Sequence, residues 1–163
     1  MPGASVLYAL PSLPLFVLLP LILGTKILDP INVVVALTLY SIALLVRTAT
    51  DAFDSVGRSV RRDAVAIGHS DSQVFWRVAL PLAVPALVAG MRVVSASTLS
   101  LVSVGALVGV PSLGYFFTDG YQRSFPTEIW VGIIGTLVLA IIFDLVIVCV
   151  GRLLTPWRRA ATI

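Results

Sequence analysis

Four long runs of apolar residues limit the folds that this sequence of 163 residues can adopt. They extend over about residues 6–23, 31–47, 82–110 and 129–154. A helix rises about 1.5 Å per residue, so a run of roughly 20 residues is long enough to cross a bilayer. Inside lipid every backbone polar group needs a partner within the protein, and the runs lack the alternating pattern of a β-barrel. Each run therefore predicts a membrane-spanning helix.

The composition also favours a membrane protein. Hydrophobic residues make up 58% of the chain and charged residues 12%, and the mean hydropathy is +1.04. Soluble domains carry about 25% charged residues, because charges keep their surface hydrated. We therefore predict an all-α fold, a polytopic membrane helix bundle in which residues 1–163 form one transmembrane domain with about four spans.

The basic residues predict the orientation of this bundle. In a four-span arrangement one side holds Arg47, Arg58, Arg61, Arg62, Arg77, Arg152, Arg158 and Arg159. The other side holds Lys26 and Arg123. Because cytoplasmic loops carry an excess of Lys and Arg, both termini and the polar loop 48–80 are predicted to be cytoplasmic, and loop 111–128 to face outward. The basic residues are not interleaved with stacking aromatic residues, so no nucleic-acid partner is expected.

The loop 48–80 is the least apolar part of the chain, and its pattern predicts two helical pieces. The first ends near Gly68, which can serve as a C-cap, and the second begins after Ser70 or Asp71 and stops before Pro81. Such a loop can dock into a partner's groove. It can equally lie on anionic headgroups as an interfacial segment. The residues alone leave both interpretations open.

Several segments in this chain follow a familiar order and spacing. In the loop, Ala64, Gly68 and Leu80-Pro81 have the separations of a signature that reads Glu-Ala-Ala, then Gly, then Leu-Pro. Three further segments match in the same way: ALPSLPLF (9–16), LPLAVPALVAGMRVVSAST (80–98) and VGALVGVPSLG (104–114). Together they resemble the permease subunits of bacterial ATP-binding-cassette (ABC) importers, in their osmoprotectant (glycine betaine, carnitine, choline) branch. The signature is the cytoplasmic EAA loop of that family.

The resemblance implies a division of labour. An extracytoplasmic solute-binding protein would deliver the solute, and two permease subunits, identical or different, would form the pathway in the bacterial cell membrane. Cytoplasmic ATP-binding subunits would drive transport, so ATP would bind to the partner and this chain would hold no cofactor. The implied ATPase-coupling residues are Arg62, Asp63, Ala64, Gly68, His69, Leu80 and Pro81.

The chain departs from the family pattern in two respects. Arg62-Asp63-Ala64 stands where relatives have Glu-Ala-Ala, so the acidic residue is absent or displaced by one position. Relatives usually carry a further N-terminal helix, and this chain is expected to lack it. The first departure bears on any particular ion pair with an ATPase but not on the docking shape.

No catalytic or metal-binding residues are predicted. The chain has no G-x-x-x-x-G-K-[ST] phosphate-binding loop, since Gly24-Thr25-Lys26 lacks the first glycine, so this chain is expected not to be the ATP-hydrolysing subunit. His69 has no second ligand nearby in the sequence and is interpreted as a turn residue.

Two charged residues, Arg92 and Asp144, fall inside predicted spans. Both lie roughly 12–15 Å from the cytoplasmic end of their span, and an unpaired charge at that depth costs about 2.5–3.5 kcal/mol. They either fix helix register as a pair or belong to a gate or pathway. Ser95 and Thr98 offer hydroxyls along the third span, either to water or to helix packing.

Two other classes of function stay open at this point. An ion-coupled secondary transporter needs carboxylates near the middle of the membrane, and Asp144 is the one candidate. A non-transporting membrane scaffold would need neither a pathway nor an ATPase-docking loop.

Overall fold

The computed structural model describes residues 12–26 and 29–155, without the side chains of residues 12–16 and 108. These residues form helices joined by turns. In chain order the elements are α1 (Ser12–Leu23), α2 (Pro30–Asp54), α3 (Arg58–Ala66), α4 (Asp71–Val74), a π-helical segment (Phe75–Ala79), α5 (Leu80–Gly105), a 3-10 turn (Ala106–Val108), α6 (Tyr115–Gln122) and α7 (Pro126–Leu154). The prediction of an all-α membrane helix bundle is confirmed.

Three helical stretches in the described part of the chain are long and apolar enough to cross a membrane. They are Pro30–Asp54, Asp71–Gly105 and Pro126–Leu154. The first predicted span, 6–23, begins outside the described residues, and α1 covers its second part. We therefore treat the chain as a multi-pass membrane protein.

The polar loop is shorter than predicted, because α2 does not end near Arg47. It continues to Asp54, where Ser55 caps it by donating its backbone N–H to Asp51 and Phe53. At its other end α2 begins with Pro30 at the first helical position, and the Asp29 carboxylate accepts the N–H of Ile31. Proline suits this position since its missing N–H would have no helical partner there.

The prediction that a helix stops before Pro81 is wrong. Asp71–Gly105 is one continuous helical stretch in which the five residues before Leu80 adopt the wider π-helical turn. The N–H of Leu80 donates to the carbonyl of Phe75, five residues earlier. A proline ring normally clashes with the carbonyl four residues before it, and the wider turn accommodates the ring without ending the helix.

The two ends of the third span also differ from the prediction. Helix α5 ends at Gly105 rather than near Val110, and a single 3-10 turn leads to Gly109, which has a φ of +80°. Helix α6 occupies the middle of the predicted outer loop, and α7 begins at Pro126, slightly before residue 129.

Helices α2 and α5 pack as an antiparallel pair from Thr48 and Gly90 to Val33 and Gly105. Near one end a Cβ on Gly90 would lie 2.9 Å from the Cβ of Thr48. In the middle the hydroxyls of Ser41 and Thr98 are 2.8 Å apart and hydrogen-bonded. Near the other end Val33 packs against Gly105. Small residues let helix backbones approach closely in a membrane, and here they fix the register of the two helices.

Helix α7 packs antiparallel to α5, so the C-terminal end of α7 lies at the same end of the bundle as the polar loop. A Cβ on Gly151 would lie 2.7 Å from Val88 Cγ1, and Gly132 near the other end packs against Phe116 of α6. Residues 55–79 and Thr155 therefore lie at the same end of the bundle, which we call the loop end. The opposite, far end holds residues 105–126 and the start of α2.

The far end contains the main apolar cluster, formed by Leu19, Val33, Ala36, Leu37 and Val110. Beside it Asn32 is 2% exposed. Its side-chain amide donates to the carbonyl of Lys26 at 2.8 Å, and its carbonyl accepts the Thr25 hydroxyl at 2.5 Å. A buried amide is costly unless its hydrogen bonds are made, so Asn32 holds the residues before α2 against the bundle.

The α2–α5 contact predicts that Gly90→Val destabilises the protein. The new side chain would overlap Thr48, and overpacking costs about 1–3 kcal/mol. The melting temperature of the purified protein in detergent should fall. Gly135→Val is the matched control, because a Cβ there meets its nearest neighbour at 3.8 Å. Equal melting temperatures for both variants would contradict this account of the packing.

Candidate functional site

Residues 55–79, which we call the loop unit, form a small packed body at the loop end. Its interior is apolar and consists of Ala52, Val56, Ala64, Val74 and Ala79, each at most 7% exposed. Ala52 belongs to the last turns of α2, so the loop unit shares its core with that helix. It is therefore an extension of the bundle rather than a free loop.

Two contacts fasten the loop unit to the end of α2. The guanidinium of Arg61 donates from Nη2 to the carbonyl of Phe53 at 2.5 Å. The ring of Phe53 stacks on Phe75, with centroids 5.6 Å apart and an angle of 23° between the planes. Arg61 thus ties α3 to the last turn of α2, where the Phe53 carbonyl also accepts the N–H of Val56, and Phe75 ties the π-helical segment to the same turn.

The turn between α3 and α4 has a well-defined capping geometry. Gly68 has a φ of +93°, and its N–H donates to Val65 while that of His69 donates to Ala64, at 2.9 and 3.2 Å. This is a Schellman motif, in which glycine is favoured because the left-handed conformation strains other residues. Ser70 then begins α4 with a capping box to Gln73.

The implied coupling residues fall into two groups in the structure. Ala64 is buried in the loop unit, and Leu80 and Pro81 are half-buried in the continuous helix. Arg62, Asp63 and Gly68 are exposed, and His69 is half-buried in the turn. The structure brings all seven to the loop end, but it places Ala64 where its side chain supports the fold and cannot touch a partner. Among the residues described, no group of His, Cys, Asp and Glu could hold a metal ion.

A cavity of about 430 Å³ opens on the surface of the loop unit. Its lining includes Arg61, Arg62, Val65, Asp71 and Phe75. Three apolar side chains of the loop unit are strongly exposed: Val65 at 51%, Ile67 at 76% and Trp76 at 64%. Grouped apolar side chains on a polar surface are typical of a binding site for another protein. This surface is therefore better suited to docking a partner than to a loop that only connects two helices.

Arg92 and Asp144 form an ion pair between α5 and α7. Arg92 donates from Nε to Oδ1 at 2.5 Å and from Nη2 to Oδ2 at 2.9 Å. Such a two-point fork is the strong geometry for this pair. The two side chains are still 49% and 40% exposed on the surface of the single chain, so one side of the pair faces away from the bundle.

Thr98 and Ser95 occupy different surroundings. The Thr98 hydroxyl bonds both the carbonyl of Val94 and the hydroxyl of Ser41, each at 2.8 Å. These contacts favour helix packing for Thr98. Ser95 is half-buried, one helical turn before Leu99 on α5.

A second polar cluster, at the far end, joins α6 to α7. Arg123 pairs with Asp119 and with Glu128, the latter at 3.0 Å, and the Tyr115 hydroxyl donates to Asp119 at 3.2 Å. The hydrogen bond to Asp119 raises the pKa of both Arg123 and Tyr115. This network closes the turn at Ser124, which has a φ of +52°.

Sequence reasoning missed the residues that join the loop unit to α2. Arg61 counted only as one basic residue among several, and the contact between Phe53 and Phe75 was not predicted. The available signal was an aromatic residue at each end of the polar stretch, 22 positions apart in the sequence. Only the folded chain shows that the two rings stack.

The ion pair predicts a strong dependence between two substitutions. Asp144→Leu alone leaves Arg92 unpaired at membrane depth, at a cost of about 2.5–3.5 kcal/mol, so the amount of protein in the membrane should fall. Arg92→Leu combined with Asp144→Leu should restore it, because no charge is then left alone. Quantitative blotting of membrane fractions checks this. A double variant as depleted as Asp144→Leu would contradict a structural role for the pair.

Comparison with known proteins places these features in a family. Residues 1–160 match the family described as binding-protein-dependent transport system inner membrane component. The ergothioneine transport permease/ergothioneine binding protein EgtU of Helicobacter pylori (strain G27) is 28% identical to this chain. The matching segment covers 86% of this chain and 24% of that protein. The glycine betaine/carnitine/choline transport system permease protein OpuCD of Bacillus subtilis (strain 168) is 29% identical over 95% of this chain and 67% of its own length.

A further relative and a solved structure agree. The osmoprotectant import permease protein OsmW of Salmonella typhimurium is 28% identical over 94% of this chain and 73% of its own length. The inward-facing MetNI methionine ABC transporter has a chain with a TM-score of 0.68 to this one, covering 98% of this chain and 73% of that chain at 24% identity, which shows the shared fold. The resemblance predicted from the sequence is confirmed, and the chain belongs to the family of binding-protein-dependent transport system inner membrane components.

Proposed function

We propose that this chain is a membrane-spanning permease subunit of an ABC importer for a small osmoprotectant. It would work with a second permease subunit, a separate ATP-binding subunit and an extracytoplasmic solute-binding protein. Family membership supports the importer, and the printed functions of OpuCD and OsmW support the class of solute. Glycine betaine, choline and carnitine each carry a quaternary ammonium group, so we propose solutes of that kind.

The surface of the loop unit gives the main support for this proposal. The loop unit has exposed apolar side chains and a cavity lined in part by Val65 and Phe75. It lies at the loop end, which the positive-inside rule assigns to the cytoplasm. We propose that an ATP-binding subunit docks there, with Ile67 and Trp76 among the contacts. ATP would bind to that partner, and this chain would contribute no catalytic residue.

The way the loop unit is attached supports a mechanical role. Arg61 and Phe75 join it to α2, and the helical stretch from Asp71 to Gly105 joins it to the middle of the bundle without a break. A partner that moves the loop unit would therefore move α2 and α5 as rigid bodies. Rigid-body movement is one of the common ways in which proteins switch between two states.

The alternatives receive less support from the described residues. Asp144 is the carboxylate nearest the middle of a described span, and it is engaged by Arg92 at both oxygens. An ion-coupled transporter needs a carboxylate that can bind and release its ion. A scaffold would not need an exposed apolar surface continuous with two spans.

Ile67→Asp should prevent docking of the ATP-binding subunit. Ile67 is 76% exposed, so the substitution leaves the fold intact but would bury a charge in the interface, where truncation of a central contact alone costs about 2 kcal/mol or more. Co-purification of the cognate ATP-binding subunit should fall more than tenfold. Arg58→Asp, on the exposed first turn of α3, is the control.

Phe53→Ala separates docking from coupling, because Phe53 joins the loop unit to α2 but does not line the cavity. The ATP-binding subunit should still co-purify, but solute uptake by proteoliposomes should fall several-fold, because the ring stack on Phe75 is lost. Unchanged uptake with Phe53→Ala would contradict the proposed coupling path. Unchanged co-purification with Ile67→Asp would contradict the docking surface.

A further inference from the structure

A cleft of about 300 Å³ opens between α5 and α7 at the loop end. Its lining includes Val88, Ala89, Arg92, Val148, Arg152 and Thr155. We propose that this cleft binds one anionic phospholipid, with the phosphate on Arg152 and an acyl chain along the apolar wall. The proposal rests on the charge and depth of the cleft and not on transport.

The cleft carries positive charge that the described part of the protein does not neutralise. Arg92 is paired with Asp144, yet the fork uses only Nε and Nη2, and a guanidinium has further N–H donors. Arg152 is exposed, and within residues 29–155 no carboxylate lies within ion-pair distance of it. An anion at the level of the headgroups would meet the unpaired donors of Arg152.

The depth of the charged residues along α7 matches the position of a lipid headgroup relative to its acyl chains. Arg152 lies two residues before the end of α7 at Leu154, and Asp144 lies eight residues further in, which is about 12 Å along a helix. A cation at a helix end reaches the level of the headgroups, and basic pockets between helices at that level suit anionic headgroups. Val88 packs beside Gly151 at the level of Arg152, and Val148 lies one turn further in, so the two offer an apolar wall to the start of an acyl chain.

A second copy of the chain fits the cleft less well. Arg152 needs an acceptor, but the exposed side chains of α7 are mainly Leu, Ile and Val. The two carboxylates of α7, Asp144 and Glu128, are already paired with Arg92 and Arg123. The same helix face from another copy would bring a second Arg152. A phosphate ester supplies the missing negative charge, so the lipid is the better occupant.

Native mass spectrometry of the full chain in detergent, with added dioleoyl-phosphatidylglycerol, tests the proposal. The wild type should retain one such lipid per chain and should retain dioleoyl-phosphatidylcholine much less. Arg152→Gln should reduce the bound fraction about tenfold, because it removes a charged hydrogen-bond donor. Arg58→Gln, which removes the same charge at the same end of the molecule but outside the cleft, should leave retention unchanged.

A second variant distinguishes the cleft from a general effect of surface charge. Ala89 is exposed at the cleft, so Ala89→Phe would fill the space while it keeps both arginines, and it should also abolish retention. Equal losses with Arg152→Gln and Arg58→Gln, or full retention with Ala89→Phe, would overturn the proposal. So would displacement of the lipid by millimolar inorganic phosphate, since the cleft would then be a site for the free anion, or cross-links between copies at Ala89→Cys.

Discussion

The close packing of α2 against α5 is the constraint on which the rest of the structure depends. Gly90 against Thr48, Ser41 against Thr98 and Gly105 against Val33 leave room for one register only. In lipid the hydrophobic effect does not draw helices together, so close backbone approach and hydrogen bonds must do so. Because the register is fixed, the end of α2 and the start of α5 lie at the same end of the bundle, where the loop unit connects them.

This constraint supports the proposal that the short polar segment acts on the membrane bundle. The loop unit is joined to α2 by a hydrogen bond and a ring stack, and to α5 by a helix that passes Pro81 through a π-helical turn. The loop unit is therefore held on both sides, by α2 and by α5. In the proposed coupling, a force on its exposed surface would be applied to both helices, and through α5 it would reach the Arg92–Asp144 pair between α5 and α7.

The sequence predicted the features that depend on local or solvent-driven rules. Apolar length predicted four spans, and three helices in the described residues are long and apolar enough to cross a membrane. The structure has Gly68 at the predicted turn and Ser70, one of the two predicted caps, at the start of α4, because both rely on backbone chemistry within a few residues. The pairing of Arg92 with Asp144 could be anticipated from depth alone, since a lone charge there is costly.

The missed features depend on the tertiary structure. The helix break expected at Pro81 is absent, because a π-helical turn relieves the clash that local rules assume. The end of α2 extends to Asp54 because the loop unit packs on its last turns, and nothing near Arg47 in the sequence indicates this. The role of Arg61 depends on the carbonyl of Phe53, which is adjacent only in the folded chain.

Site-specific photo-cross-linking tests most directly whether the loop unit is the place where an ATP-binding subunit docks. Trp76 and Trp130 are similarly exposed, at 64% and 62%, and lie at the loop end and the far end. Each would be replaced in turn by p-benzoylphenylalanine in cells that also produce the ATP-binding subunit. The account predicts a cross-link to that subunit from position 76 and none from position 130. A cross-link from position 130, or its absence from position 76, would contradict it.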